Sequence, residues 1–261
     1  MAKVEKRTTF QVWGDVIFAI FLREIKSKFS DKLGVSWSVI SPVAFIMILS
    51  VMRGRLEGGE THGIPTFFFM VYGMVLVQLF LVTVASVSSS ISKNRTLFAF
   101  RQVQPISSVI AAGGFEALVK LFVFAIIFFI AYFLQMDISI SNILMVITNF
   151  FLVWVLAVSV GMIFALGRAF IPEIEKLRSL AMRPVFFISG IFFSLQDLPK
   201  AHWKWFDWNP LLHAVELTRY AAYPTYGTAG VSQMYLSLCV LITLLLSLSL
   251  YQILWKQAIS R

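Results

Sequence analysis

Apolar stretches of about 20 residues, parted by short polar breaks, recur along the whole of this 261-residue chain. A helix of that length crosses the ~30 Å hydrocarbon core of a bilayer. The pattern predicts spans at 34–52, 65–91, 106–134, 143–167 and 231–255. Pro42 marks a kink in the first, and Pro65 suits the first turn of the second. A further apolar run at 184–195 has only 12 residues, roughly 18 Å of helix, which is short of a full crossing. The segment before it, opened by Pro172, carries Glu173 and Glu175 early and Lys176 and Arg178 later, the order a helix dipole favours. Together these make a broken fifth element. An amphipathic stretch at 211–223 follows the breaker Asn209-Pro210. The run and this stretch read as a hairpin that enters the outer leaflet and returns, which is tolerated only where protein or a water-filled cavity encloses it.

Residues 10–33 have a different pattern. On a helical wheel Phe18, Phe21, Leu22, Ile25 and Phe29 gather on one side, and Arg23, Glu24, Lys26, Lys28 and Asp31 on the other. Such a helix lies flat at a membrane surface, its apolar face in lipid. The expected fold class is therefore all-α and polytopic. It has six transmembrane helices, a flat N-terminal interface helix, and re-entrant amphipathic helices before the last span. The expected organisation is a tail and interface helix at 1–33, a six-span domain at 34–255 with its re-entrant part at 197–224, and a tail at 256–261.

Composition agrees with the pattern. With 59% hydrophobic and 13% charged residues, the chain is too apolar for a soluble domain and too weakly charged for disorder. No alternating pattern of a membrane barrel is present. The first residues are polar, and Phe18–Leu22 is followed by charge, so no cleavable signal peptide is expected. The single Cys239 excludes an intrachain disulfide. A net charge of +9 raises the question of nucleic acid, but its distribution answers it. Sixteen Lys and Arg fall at 1–33, 93–105, 168–183 and 256–261, against five at 53–64 and 196–230. That asymmetry places both termini in the cytoplasm and the Trp-rich stretch outside, with no nucleic-acid role.

Candidate chemistry is sparse. There is no GxxxxGK[ST] phosphate loop, so the chain does not bind ATP in the usual way by itself. HExxH and GxSxG are absent too, and His62, His202 and His213 lack metal-ligand spacing, so neither a metal site nor a catalytic residue is expected. Glu116 and Lys120 lie inside the third span, four residues apart. They are either the polar lining of a path or an intrahelical ion pair facing the bundle, and the spacing favours the pair. The loop 93–105 is cationic through Lys93, Arg95 and Arg101 yet carries Leu97, Phe98 and Phe100. The positive-inside rule explains its charge. Its apolar residues fit a small helix docking on a soluble partner. Trp203, Trp205 and Trp208 sit within six residues. They read as an interfacial belt or as a surface that stacks on sugar rings. His213, Glu216 and Tyr220 share a helical face, and Arg219 neighbours Glu216, a set that most simply satisfies itself.

With these pieces assembled, the chain resembles an ABC exporter permease, specifically the capsular-polysaccharide export permeases of Gram-negative bacteria, the Kps type. The resemblance covers essentially the whole chain. It is carried by LREIKSKFSDKLGVSWSVISPV (22–43), NRTLFAFRQVQP (94–105) and WNPLLHAVELTRYAAYP (208–224). It implies a homodimer in the bacterial inner membrane, two copies of a separate nucleotide-binding subunit holding ATP and Mg, and no cofactor on this chain. Arg95, Leu97, Phe98 and Arg101 would form the coupling contact to that subunit, with a second contact from 172–180. The re-entrant pair, with Trp203, Trp205, Trp208, Asn209, Pro210, His213, Tyr220 and Tyr223, would gate the outer mouth and meet the glycan. Arg168, Arg178 and Arg183 would attract the polymer at the inner mouth. The substrate implied is a lipid-linked anionic polysaccharide, with a periplasmic co-polymerase and an outer-membrane export protein as further partners and membrane lipid all around. The competing readings are an O-antigen or teichoic-acid exporter, a drug or lipid exporter of the same architecture, and a secondary carrier or membrane enzyme.

Overall fold

The computed structural model describes residues 8–29, 34–57, 59–100 and 102–260. They form α1 (Thr9–Phe29), α2 (Gly34–Glu57), the two-residue strands β1 (Glu60–Thr61) and β2 (Ile64–Pro65), α3 (Thr66–Lys93), α4 (Pro105–Phe133), α5 (Ile143–Phe170), α6 (Ile174–Ile188), α7 (Pro210–Ala222) and α8 (Gln233–Ser260). Short 3₁₀ turns at Arg95–Ala99, Leu195–Asp197, Lys200–Trp205 and Pro224–Tyr226 fill the connections. The molecule is an all-α polytopic membrane protein. Among the described residues four helices are long and apolar enough to cross a membrane: α3, α4, α5 and α8 through Ala258.

The long helices begin and end close to where the hydrophobic runs place them, because each run exceeds the length of a span and is bounded by charge or proline. Pro105 opens α4 at its first turn, where a missing N–H costs nothing. Asn142 caps α5 by accepting from the Met145 N–H at 3.0 Å. Burial then sorts them. The most apolar window of α3 is 83% buried, against 33% for α4 and α5 and 22% for α8. A helix apolar all round belongs in the centre, and α3 is that helix, packed by α5, α4, α2 and α7. The outward faces of the others carry Phe122, Phe129 and Phe133 on α4, Leu144, Ile147 and Phe151 on α5, and Ile242, Leu245 and Ile253 on α8. Exposed apolar rows of this length are faces for lipid.

Three features differ from the sequence expectation. The segment at 53–63, read as a loop, continues α2 to Glu57 and then turns through a small antiparallel hairpin pairing Glu60 with Pro65. The polar segment and the run at 184–195 are not separate pieces: one helix, α6, runs through Pro184 and stops at Ile188, before the end of the run. The reversal comes at Gly190, whose φ of +73° is a backbone conformation that glycine adopts without a side-chain clash. Finally, α7 is not an amphipathic helix with one free face. Every residue from Leu211 to Arg219 is buried, against α5, α3 and α8. By contrast, none of the described residues of α6 is buried.

Candidate functional site

The charges of α7 are buried because they are satisfied. Pro210 starts the helix at its first turn, and the Asn209 side chain accepts from Leu211 N–H at 3.0 Å while donating to Ser189 Oγ at 3.0 Å and Ile188 O at 3.2 Å. Asn209-Pro210 therefore caps α7 and ties it to the end of α6. Two turns further on, Arg219 is completely inaccessible to solvent. Its five N–H groups meet acceptors: Phe69 O from Nε (3.1 Å) and Nη2 (3.0 Å), Ile191 O (3.1 Å), Phe193 O (3.4 Å) and Glu216 Oε1 (3.2 Å). The guanidinium also stacks 3.4 Å from the centre of the Phe69 ring.

Glu216 completes the cluster. Its other oxygen accepts from Tyr226 Oη at 2.9 Å and Ser194 Oγ at 3.2 Å, and those two hydroxyls lie 2.7 Å apart. Burial pushes the Glu216 carboxyl upward, and Arg219, Tyr226 and Ser194 pull it back. The result is a dry polar knot joining the start of α3, the turn after α6, and α7. Gly73 makes room for it: a Cβ there would lie 2.9 Å from Arg219 Nη2 and 3.2 Å from Ile191 Cα. Arg53 at the end of α2 reaches the same knot, donating to Phe192 O and lying 5.1 Å from the Phe69 ring.

His213 is held separately. Its Nε2 lies 2.7 Å from Asp207 O, and its Nδ1 accepts from Ser232 N–H at 3.0 Å. Only a neutral ring protonated at Nε2 satisfies both, and burial accordingly lowers its pKa. Tyr220 is half-buried and outside this arrangement. Tyr223 donates to Asp137 O at 3.1 Å, fixing the turn after α4. The tryptophans divide. Trp203 is half-buried and donates to Leu198 O at 2.9 Å, whereas Trp205 and Trp208 are 74% and 58% exposed.

At the other end of the bundle, the 3₁₀ turn Arg95–Ala99 presents Arg95 and Thr96 outward, while Leu97 is half-buried. Phe98 points inward instead, into a core with Val87, Ile91, Val109 and Met162. Phe100, 66% exposed, is the aromatic that a partner can reach. Arg101 lies outside the described residues. The turn is anchored from α1: Lys93 Nζ lies 2.6 Å from Glu24 Oε2, and Arg23 donates to Asn94 Oδ1 at 2.7 Å. Sequence reasoning put Arg23 and Glu24 on a solvent face. The only signal for this latch is that two charged residues and a cationic helix end can complement each other.

The three arginines expected at the inner mouth are also unequal. Arg178 and Arg168 both contact Glu175, at 2.6 and 3.4 Å, and the Arg178 hydrogen bond holds that carboxyl below its usual range. Arg183 is exposed. Glu116 and Lys120 are buried in α4 and line a cavity of about 380 Å³ with Gln78, Trp37, Ser41, Pro42, Phe45, Val82 and Val119. Lys120 Nζ donates to Gln78 Oε1 at 3.1 Å. Among the described residues no cluster of metal-ligating side chains occurs.

Comparison with known proteins adds a lineage to this geometry. The family profile of the ABC-2 type transporters matches residues 15–223. Two polysialic acid transport proteins KpsM of Escherichia coli are 34% and 33% identical over 248 residues, covering 94% of this chain and 96% of each relative. The capsule polysaccharide export inner-membrane protein CtrC of Neisseria meningitidis serogroup A is 22% identical over 242 residues, 90% of this chain and 89% of the relative.

Proposed function

The chain belongs to the ABC-2 type transporter family, and from that premise we propose that it is the permease subunit of an ATP-driven exporter that moves lipid-linked capsular polysaccharide across a bacterial inner membrane. The observation that carries this reading is the 34% identity to a polysialic acid transport protein over nearly the full length of both chains. In this reading ATP and Mg belong to a separate nucleotide-binding subunit, two copies of which would serve a homodimer, and the lack of a phosphate loop in the sequence supports it. The uncovered faces of α2 and α6, with Ile48 and Met52 on one and Leu177, Leu180 and Phe187 on the other, are available to a second copy.

In this reading six elements cross or enter the bilayer, α1 lies along the inner surface, and both termini are cytoplasmic, as the sixteen-to-five charge asymmetry favours. Arg95, Leu97 and Phe100 receive the ATPase subunit. Phe98 supports them from within the bundle. The knot around Arg219 holds the segment at 189–223 as a rigid re-entrant unit, so that the outer mouth moves as one body. Trp205 and Trp208 face glycan or headgroups there. Of the inner arginines, Arg183 is the one not shared with Glu175, and it serves the anionic polymer most directly. A periplasmic co-polymerase and an outer-membrane protein continue the route.

The test is co-expression with the nucleotide-binding subunit. Wild type forms a stable complex whose ATPase is stimulated by the glycan. Arg95→Glu with Phe100→Asp abolishes association, while the chain itself still accumulates. If the chain purifies alone and the double variant changes nothing, a secondary carrier or membrane enzyme becomes the better reading. ATPase stimulated by drugs but not by glycan points instead to a drug or lipid exporter.

A further inference from the structure

The cavity between α2, α3 and α4 lies outside every role assigned above. Its position is unusual for its chemistry. Glu116 and Lys120 are 11 and 15 residues into α4, roughly 16 and 22 Å along a helix. That is the middle of a span, where ionisable groups are costly and mark function. Gln78 meets them from the middle of α3. Satisfying two buried charges does not by itself account for a space of about 380 Å³ left open beside them, nor for an amide from a second helix turned into it.

The lining has two parts. The inner wall carries an ammonium, a carboxylate and an amide, and the exposed Ser41 hydroxyl lies at the rim. The rim is otherwise apolar and outward-facing: Trp37, Phe45 and Val82 are all exposed on the surface of membrane helices. Entry is therefore from the hydrocarbon, and the occupant is an amphiphile with its polar end inward. A purely anionic head would meet Glu116, and a purely cationic one would meet Lys120. A head with one charge of each sign fits both, its phosphate on Lys120 and Gln78 and its ammonium on Glu116, with the Trp37 ring as a further partner for the cation.

We infer that this cavity is a lipid site for a zwitterionic phospholipid of the phosphoethanolamine class, with its headgroup drawn into the bundle and its acyl chain along Phe45, Val82 and Val119. The site does not rest on the glycan assignment, and its test reads binding rather than export.

The purified full chain, stripped of lipid in detergent, is titrated with phosphatidylethanolamine and phosphatidylglycerol of identical acyl chains, and retention is read by native mass spectrometry. Wild type retains one phosphatidylethanolamine per chain, about tenfold more strongly than phosphatidylglycerol, the ratio one well-placed charge contact supplies. Glu116→Gln reverses the preference toward phosphatidylglycerol, because the carboxylate that repels an anionic head is then gone. Lys120→Met abolishes retention. Should Lys120→Met fail to fold, Val82→Trp carries the test: it fills the mouth, leaves both charges, and abolishes retention of either lipid. Undiminished retention in Val82→Trp, equal retention of the two lipids by wild type, or binding of free phosphoethanolamine as strong as that of the lipid would each overturn the assignment.

Discussion

Arg219 stacks its guanidinium 3.4 Å from the Phe69 ring centre and donates two hydrogen bonds, at 3.1 and 3.0 Å, to the carbonyl of that same residue. One side chain thus reads both the ring and the backbone of a position 150 residues earlier. The carbonyl sits in the first turn of α3, the central helix. The same guanidinium also binds Ile191 and Phe193 in the turn that follows α6. Three pieces of chain are fixed to one another by one planar group with directional donors. For a unit built from short helices and turns, that is a source of rigidity.

Removing one member of this knot strands the other. Arg219→Ala leaves Glu216 buried without its cation, which costs roughly 3–5 kcal/mol. Arg219→Lys is expected to rescue little, since an ammonium has neither the five-donor fork nor the planar face. Glu216→Gln keeps the shape and is milder. Thermal denaturation of the three variants in one detergent, with the order Ala and Lys well below Gln and Gln below wild type, checks this. Full rescue by lysine would show that charge alone matters.

Gly73 tests the same contact from the steric side. Alanine is the better helix former by about 1 kcal/mol, so propensity alone predicts a gain. Its Cβ would lie 2.9 Å from Arg219 Nη2 and 3.2 Å from the backbone of Ile191. Overpacking of this kind costs about 1–3 kcal/mol. Gly73→Ala should therefore melt lower than wild type. The penalty should shrink in an Arg219→Ala background, where the nearest of the two clashes has been removed.

These two sites also show what the chain alone discloses. The long helices are legible because their apolar runs are longer than a bilayer needs and end in charge or proline. The Glu216–Arg219 pairing was legible from spacing. Phe69 O, Ile191 O and Phe193 O were not, because a carbonyl acceptor has no sequence signature and lies far away along the chain. The bounds of the fifth element were less legible: the segment opened by Pro172 and the apolar run from Pro184 form one helix to Ile188, and the positive φ of Gly190 makes the turn. Phe98 and Phe100 could not be told apart within a loop too short to show a periodic face. The split between Trp203 and its two exposed neighbours has the same origin.

His213 gives a pH dependence. Its neutral ring donates to Asp207 O and accepts from Ser232 N–H, and burial lowers its pKa below the ordinary 6.5. The unfolded chain then takes up a proton at a pH where the folded chain does not. The contribution to stability is complete above pH 6.5 and is lost as pH falls through the lower folded value. Asp207 opposes the shift, and the Tyr235 ring, 4.7 Å away, covers the imidazole. Glu175, whose pKa is lowered from 4.5, loses its contribution only in more acid solution. Melting temperature measured from pH 8 to pH 5 should be flat above 6.5 and fall below it, and His213→Asn should lower the plateau and remove most of the slope. An unchanged slope in that variant would assign the titration elsewhere.

The latch between α1 and the end of α3 separates stability from function. Glu24 is buried, while Lys93 is nearly half exposed, so the pair contributes little to folding, about 1 kcal/mol or less. Its position matters more. Lys93 precedes the turn proposed above as the seat of the ATPase subunit, and Glu24 belongs to a helix packed along α4. A displacement of the turn is carried directly into α1. Glu24→Lys places two ammonium groups together and should part the two elements, while accumulation in the membrane stays near wild type. In the assembled exporter this variant should keep basal ATPase and lose most glycan export, about tenfold for a contact worth 1.4 kcal/mol in the moving state. Exchanging the charges with Glu24→Lys and Lys93→Glu together should recover most of that loss. Equal export by Glu24→Lys and wild type would mean that α1 is a passive float on the bilayer surface. Failure of the exchange to rescue would locate the effect in the desolvated environment of Glu24 and not in the pair.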